Sequence, residues 1–148
     1  MIYCILAACI VGADLYFKRQ IEVRPDTTFP IHLKGGVRLE KHHNRGFLLN
    51  RLEDRPGLVR IVSVMTLLPL VFWFFHLIIK KAGALEKLGA ACLLGGAVSN
   101  VQDRLIRGYV VDYLRLPIKK IRNIIFNIAD FFLFLGAWLT AVSAFFSK

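Results

Sequence analysis

The stretch LVRIVSVMTLLPLVFWFFHLII, residues 58–79, decides the class of the fold. Its residues are almost all apolar, and its length matches the roughly 17–25 residues with which a helix crosses a bilayer. The whole chain is 56% hydrophobic, with a mean hydropathy of +0.55. A soluble domain holds only about 45–50% apolar residues even when glycine is counted. The stretch therefore predicts a transmembrane helix.

Three further apolar segments of similar length lie at residues 1–17, 85–101 and 124–146. The segment 1–17 lacks a basic leading region and a small-residue cleavage site, so we interpret it as a retained helix. The segment 85–101 is rich in glycine and alanine, which let membrane helices approach closely. The sequence therefore predicts an all-α integral membrane protein with four transmembrane helices in a single domain over residues 1–148.

The polar segment 18–57 separates the first two apolar segments. Within it, residues 20–24 and 36–40 alternate apolar and polar side chains, which is the pattern of a half-buried strand. We therefore predict a small β-sheet on the membrane surface, formed by an insertion at 18–57. The second polar segment, 102–123, is predicted to return the chain to the bilayer.

The net charge of +10 comes from 20 basic and 10 acidic residues. Because these charges lie between apolar segments, anionic lipid headgroups are a simpler partner than nucleic acid, and we expect no nucleic-acid binding. With four spans, all but four basic residues lie on the side of the bilayer that carries 18–57 and 102–123. The four others are Lys80, Lys81, Lys87 and Lys148. The positive-inside rule would place the more basic side in the cytoplasm.

Two aspartates lie close to apolar segments: Asp112 in the stretch 108–113, and Asp130 near the start of the last segment. A carboxylate near hydrocarbon is costly, so a membrane protein that has one usually uses it. Two carboxyl groups held together share a proton, and the pair can act as a base toward water and as an acid toward a carbonyl. Asp112 and Asp130 are therefore candidate catalytic residues of an aspartic peptidase, a reaction that needs no metal or other cofactor.

The pattern Asn-x-x-Asp occurs twice, in Asn100 to Asp103 and in Asn127 to Asp130. Residues i and i+3 share a helix face, so each asparagine can hydrogen-bond near its aspartate. Asn100, Asp103 and Arg104 also fit a scaffold role, in which the asparagines cap helices and Asp103 pairs with a nearby arginine. Both interpretations remain open from the residues alone.

Two adjacent histidines, His42 and His43, lie in the polar segment between the first two helices. Neighbouring residues on a strand point to opposite faces of a sheet. We therefore expect no metal site at this pair.

Taken together, these stretches resemble the lipoprotein signal peptidases, the type II signal peptidases of bacteria. The resemblance is carried, in order and spacing, by GGAVSNVQDR at 95–104, RGYVVDY at 107–113 and FNIAD at 126–130. It implies that Asp112 and Asp130 are the catalytic dyad. The positions that match the residues around the family's site, where they would orient the dyad or the substrate, are Asn100, Asp103, Arg104 and Asn127.

The N-terminal half departs from the family pattern. Residues 14–18 keep the aspartate and the lysine of the family's Asp-Gln-x-x-Lys but not the glutamine. Residues 44–47 keep an asparagine, a glycine and a phenylalanine but lack the family's two alanines, and Ser99 stands where the family has a glycine. The chain therefore resembles a divergent branch, in which Asp14 and Asn44 are expected to line the substrate channel.

The resemblance also implies an architecture, a place and a substrate. Family members are four-helix membrane proteins with a small extracytoplasmic sheet, and they remove the signal peptide of a lipoprotein precursor on the N-terminal side of a diacylglyceryl-modified cysteine. We therefore expect a monomeric, multi-pass protein of the bacterial inner membrane with its active site near the extracytoplasmic face. Its expected partners are the lipidated prolipoprotein and membrane phospholipids. This topology puts the basic side outside, against the positive-inside rule, and headgroup binding would account for the conflict.

Two other functions remain open. A small proton- or cation-coupled transporter component would use the intramembrane carboxylates to bind its ion, although no inverted repeat is evident. An inactive relative would bind acylated peptides without cutting them, and the altered motif at Asn44 permits this.

Overall fold

The structure, a computed structural model, describes residues 1–47, 51–121 and 123–146. Within these ranges the chain forms four long helices and four short strands. In chain order they are α1 (Ile2–Glu22), β1 (Ile31–His32), β2 (Arg38–Asn44), α2 (Pro56–Ile79), α3 (Ala84–Ile106), β3 (Val110–Arg115), β4 (Ile125–Phe126) and α4 (Ile128–Phe146). Positions 48–50 of the predicted insertion, position 122 of the second polar segment and Lys148 lie outside the described residues.

Helix α3 is the central helix and packs against α1, α2 and α4. Its glycines allow this close approach. A Cβ atom on Gly96 would lie 2.6 Å from the backbone oxygen of Ala129 in α4, and one on Gly95 would lie 2.9 Å from Ile10 Cβ in α1. Further along the α3–α4 contact, a Cβ atom on Gly136 would lie 2.6 Å from the backbone oxygen of Gly89. The small residues of α3 therefore act as the packing surface that the sequence predicts.

Two of the helices in the described ranges, α2 and α4, are long and apolar enough to cross a membrane by length and composition. Little of the hydrophobic window of each helix is buried inside the protein, 17% in α2 and 22% in α4. Helix α1, by contrast, buries Asp14 and Lys18 on its inner face, and α3 is surrounded by the other helices. The predicted helical class holds for the bulk of the chain, with a small antiparallel sheet beside it.

The sheet has the strand order β1-β2-β3-β4, and every neighbouring pair is antiparallel. Its central pair joins β2 and β3, with His42 opposite Asp112 and Asn44 opposite Val110. The register shifts between Leu39 and His42. The predicted segment 18–57 therefore supplies two of the four strands, β1 and β2, and residues 110–126 supply β3 and β4.

Several predicted boundaries are wrong. Residues 20–24 are not a strand, because α1 continues to Glu22 and packs Ile21 against Val111 and Tyr113 beneath the sheet. Of the predicted strand 36–40, only the part from Arg38 onward pairs. Helix α3 extends beyond the predicted segment to Ile106, and α4 begins at Ile128, since the preceding residues form β4.

Candidate active site

A cavity of about 680 Å³ lies between the sheet, α2, α3 and the start of α4. Its sheet side and helix termini supply polar groups, whereas α2 and α4 supply mainly apolar ones. The charged and amide or imidazole side chains on its wall are His42, Asn44, Asn100, Arg104, Asp112, Arg115, Asn123 and Asp130. Its apolar wall includes Leu67, Leu70, Leu133 and Phe134. The cavity therefore has one polar and one apolar side, and both candidate aspartates face it.

Asp112 lies on β3 rather than at a helix end, and it is only 3% exposed. Asn44 Nδ2 donates a hydrogen bond of 3.0 Å to its Oδ2, and Asn127 Nδ2 donates one of 2.7 Å to its Oδ1. Burial, followed by the negative charge of Asp130, raises the pKa of Asp112 to about 7, although both hydrogen bonds oppose the shift. Near neutral pH this carboxyl group can therefore carry a proton.

Asp130 lies in the first turn of α4 and forms a reciprocal cap with Asn127. The backbone N–H of Asp130 donates to Asn127 Oδ1 at 2.9 Å, and the backbone N–H of Asn127 donates to Asp130 Oδ2 at 3.1 Å. Asn100 Nδ2 donates to the other carboxylate oxygen at 2.9 Å. A helix N-terminus favours negative charge, so these contacts stabilise the carboxylate form of Asp130. Asn127 thus holds both aspartates, one through its side chain and one through its backbone.

A buried lysine lies behind this pair. Lys18 is 0% exposed, and its Nζ is 2.7 Å from Asp14 Oδ2 and 3.1 Å from Asp103 Oδ2. The same ammonium group donates to Asn100 Oδ1 at 2.9 Å. Because an ammonium group can face only the amide oxygen of Asn100, it turns the amide nitrogen toward Asp130. The lysine therefore fixes the orientation of an asparagine that contacts a candidate catalytic residue.

Asp14 lies behind the cavity and not on its wall. It is 0% exposed, and its Oδ1 accepts hydrogen bonds from Ala129 N at 3.1 Å and from the hydroxyl of Tyr113 at 3.5 Å. The hydroxyl of Ser99 donates to its Oδ2. The serine that replaces the family's glycine thus joins the buried charge cluster. Of the two residues expected to line the channel, the structure places Asn44 on the cavity wall and Asp14 beneath it.

Asp103 and Arg104 follow each other in sequence but point to different places. Asp103 is buried, accepts a hydrogen bond from Val111 N at 3.2 Å and pairs with Arg107 at 3.3 Å, so it holds the turn from α3 into β3. Arg104 lies on the cavity wall, where it donates to the backbone oxygen of Gly46 at 3.0 Å. The arginine that pairs with Asp103 is therefore the one a helical turn later.

The sequence analysis assigned no role at this site to three polar residues: Lys18, Tyr113 and His42. A signal existed for Lys18, since it lies four residues after Asp14, on the same helix face. A weaker one existed for His42, which lies two residues before Asn44 and so on the same face of a strand. Among the described residues, no group of three or more His, Cys, Asp or Glu side chains is arranged to hold a metal.

This site can perform general acid–base chemistry. One carboxyl group is buried on a strand and favours its protonated form, and the charged form of the other is stabilised by a backbone N–H and an amide N–H at a helix N-terminus. Both face a cavity that has room for a peptide segment and a water molecule. The arrangement matches what hydrolysis by a pair of carboxyl groups requires.

Comparisons with known proteins agree with this chemistry. The family model described as signal peptidase (SPase) II matches residues 6–146. The chain is 33% identical over 111 residues to a lipoprotein signal peptidase of Caldicellulosiruptor bescii. The matched region covers 74% of this chain and 69% of the relative. It is 31% identical over 144 residues to a lipoprotein signal peptidase of Fusobacterium nucleatum, covering 96% of this chain and 85% of the relative.

Solved structures show the same fold. Two chains described as bacterial membrane enzymes each superpose with a TM-score of 0.82 at 24% identity. The first match covers 97% of this chain and 87% of the other, and the second covers 99% and 94%. The family model over residues 6–146 and the two relatives confirm the resemblance seen in the motifs at 95–130. The chain belongs to the signal peptidase II family.

Proposed function

We propose that Asp112 and Asp130 are the catalytic pair with which this signal peptidase removes signal peptides from lipoprotein precursors. Membership of the family makes the chain an aspartic peptidase of prolipoprotein processing. The single observation that supports the assignment of the pair is that Asn127 hydrogen-bonds both carboxyl groups at the wall of one cavity.

The two carboxyl groups take different roles in this mechanism. Asp130, held as an anion by the N-terminus of α4, accepts a proton from a water molecule between the two groups. The resulting hydroxide attacks the carbonyl carbon of the scissile peptide bond, and protonated Asp112 gives its proton to the carbonyl oxygen. When the tetrahedral intermediate collapses, Asp130 returns its proton to the departing amine. Asp112 recovers its own proton from the hydroxyl of the intermediate, so the site is ready for another turnover.

The surrounding residues act by positioning. Asn100 and Asn127 orient the carboxyl oxygens, and Asn44 holds the outer oxygen of Asp112. Asp103 stabilises the turn that presents β3, and Arg104 fastens the segment at Gly46 to α3. The role of Asp14 in this scheme is to balance the charge of Lys18 beneath the dyad.

The apolar side of the cavity suits a lipid-modified substrate. We infer that the four helices span the bacterial inner membrane and that the sheet lies at the extracytoplasmic face. The diacylglyceryl chains would enter between α2 and α4, along Leu67 and Leu133, because the substrate is already dissolved in the bilayer. Basic side chains of the sheet region, such as exposed Lys34 and Lys119, would then face phospholipid headgroups. The unit would act as a monomer.

Cleavage of a lipidated precursor by the purified protein in detergent tests the catalytic pair. We expect Asp112→Asn and Asp130→Asn each to abolish processing, a loss of at least about a thousandfold, because either change removes the acid or the base. Asp54→Asn, at an exposed turn, is the matched control and should cleave at the wild-type rate.

The same assay separates the alternative functions. Full processing by Asp112→Asn or Asp130→Asn would rule out these two residues as the catalytic pair. A wild-type protein that conducts ions without proteolysis would be a transporter, and one that binds the precursor without cutting it would be an inactive relative.

A further inference from the structure

His42 is a titratable residue of the cavity wall whose chemistry the mechanism leaves unused. It lies on β2, directly across the strand pair from Asp112, and its side chain faces the cavity. Its neighbour His43 points the other way, stacks on Tyr109 with ring centroids 4.1 Å apart, and contacts Glu22 at 2.7 Å. One histidine of the pair thus fastens the sheet to α1, and the other faces the substrate space.

The other polar side chains beside His42 already have partners. Asn44 donates to Asp112 and accepts a hydrogen bond from Gly46 N, and Arg115 binds both carboxylate oxygens of Glu40. Across residues 1–47, 51–121 and 123–146, no hydrogen bond is found at either ring nitrogen of His42. A half-buried imidazole without a partner leaves one donor and one acceptor available to a ligand.

The ring is neutral at physiological pH. Burial lowers the pKa of His42, and the nearby positive charges of His43 and Arg115 lower it further, whereas Glu40 and Glu53 oppose the shift. The imidazole therefore offers a donor and an acceptor instead of a charge, and it is matched to an uncharged polar group.

The two sides of the cavity indicate which part of a substrate reaches His42. The signal peptide and the lipid belong on the apolar side, against α2 and α4. Under the proposed function, the part of the precursor that follows the lipidated cysteine leads to water and would leave along the sheet. His42 lies on that route, next to Asp112.

We propose that His42 is a specificity-determining residue, which hydrogen-bonds an uncharged polar side chain within the first two residues after the lipidated cysteine. The inference rests on the proposed function, because it needs the scissile bond to lie at Asp112 and Asp130. It adds to that function a preference for part of the mature lipoprotein sequence.

Threonine and valine provide the sharpest test, because they share a shape and differ by a hydroxyl in place of a methyl group. The test compares lipidated precursors that carry either Thr or Val at the first or second position after the cysteine. Cleavage of each precursor is measured with the wild type and with His42→Ala. At one of the two positions the wild type should prefer Thr by about 3- to 10-fold in kcat/KM, the effect of one net hydrogen bond. In His42→Ala that ratio should fall to about 1.

Two further variants make the outcome decisive. His42→Gln keeps a donor and an acceptor and should retain part of the preference. His32→Ala, an exposed histidine on the edge strand β1, should leave it unchanged.

Three results would overturn the proposal. One is equal cleavage of the Thr and Val precursors by the wild type, and another is a preference for Thr that persists in His42→Ala. The third is a loss of kcat/KM in His42→Ala and His42→Gln that is the same for both precursors. Failure of the proposed function would look different, since the wild type would then cut neither precursor or Asp112→Asn would still cut them.

Discussion

The two candidate catalytic residues are the same amino acid, yet their surroundings differ in how far they stabilise the charged carboxylate. Asp112 is buried on a strand, where desolvation disfavours the charged form. Asp130 accepts a backbone N–H bond at the start of a helix, where a negative charge is stabilised. A pair of carboxyl groups can therefore begin the reaction with one acid and one base in defined places.

This difference predicts the alkaline limit of activity. With a pKa of about 7, Asp112 is protonated below that value and ionised above it. We expect kcat/KM for a lipidated precursor to fall as the pH rises through about 7, since the acid that protonates the carbonyl oxygen is lost. Activity that stays constant up to pH 9 would contradict the assignment of Asp112 as the acid.

The same group predicts a change in stability. Between pH 3.8, the ordinary pKa of an aspartate, and about pH 7, the folded state holds a proton on Asp112 that the unfolded state has lost. The free energy of unfolding therefore falls as the pH rises through this window. The Tm of Asp112→Asn minus that of the wild type should therefore increase from pH 4 to pH 8. An equal difference at all pH values would show that the group titrates alike in both states.

At the scale of elements, α3 is the helix on which the others are assembled. Gly96 brings it against the first turn of α4, next to Asp130. A Cβ atom at position 96 would meet a backbone oxygen of α4. Neither a Cβ atom nor a helix backbone can rotate away from such a contact. The site is therefore sensitive to the spacing of these two helices.

A pair of glycine substitutions tests this packing. Gly96→Ala places a methyl group 2.6 Å from Ala129 O, and we expect a lower Tm and at least a tenfold loss of cleavage, because α4 and Asp130 must shift. Gly12→Ala is the matched control, since nothing lies within 4 Å of its new Cβ and alanine favours the helix. Equal behaviour of the two variants would mean that the α3–α4 contact tolerates expansion.

At the scale of the whole molecule, one buried cluster of charges connects the elements. Lys18 comes from α1, Asp103 from α3, and Asp14 reaches α4 through Ala129 N and β3 through Tyr113. In an apolar protein such a cluster favours this arrangement of the helices and the sheet, because separating its members would leave a buried charge unpaired.

Removing the cation should therefore affect the whole fold. Lys18→Met leaves Asp14 and Asp103 without their buried partner, and we expect a loss of about 3–5 kcal/mol in the free energy of unfolding. Thermal unfolding in detergent measures this, with Lys34→Met at an exposed lysine as the control. A Tm equal to that of the control would show that the two carboxylates find other partners or protons.

The sequence by itself determined the properties that depend on neighbouring residues. The apolar stretch 58–79 is nearly the observed α2, because hydropathy and length are local properties. The motifs around Asp112 and Asp130 indicated the family, which the comparisons confirm. The Asn127 to Asp130 cap was also predictable, since the two residues lie within one turn.

Only the tertiary structure decided how distant segments meet. Strand β3 was read as part of a polar return segment, because its partner β2 lies more than sixty residues earlier and no local pattern reveals that pairing. The burial of Lys18 was missed for the same reason: a lysine near a helix end ordinarily reaches water, and it stays inside here because Asp14, Asp103 and Asn100 converge on it from two helices. Local chemistry thus indicated the candidate residues of the site, and long-range pairing of strands and charges brings them together.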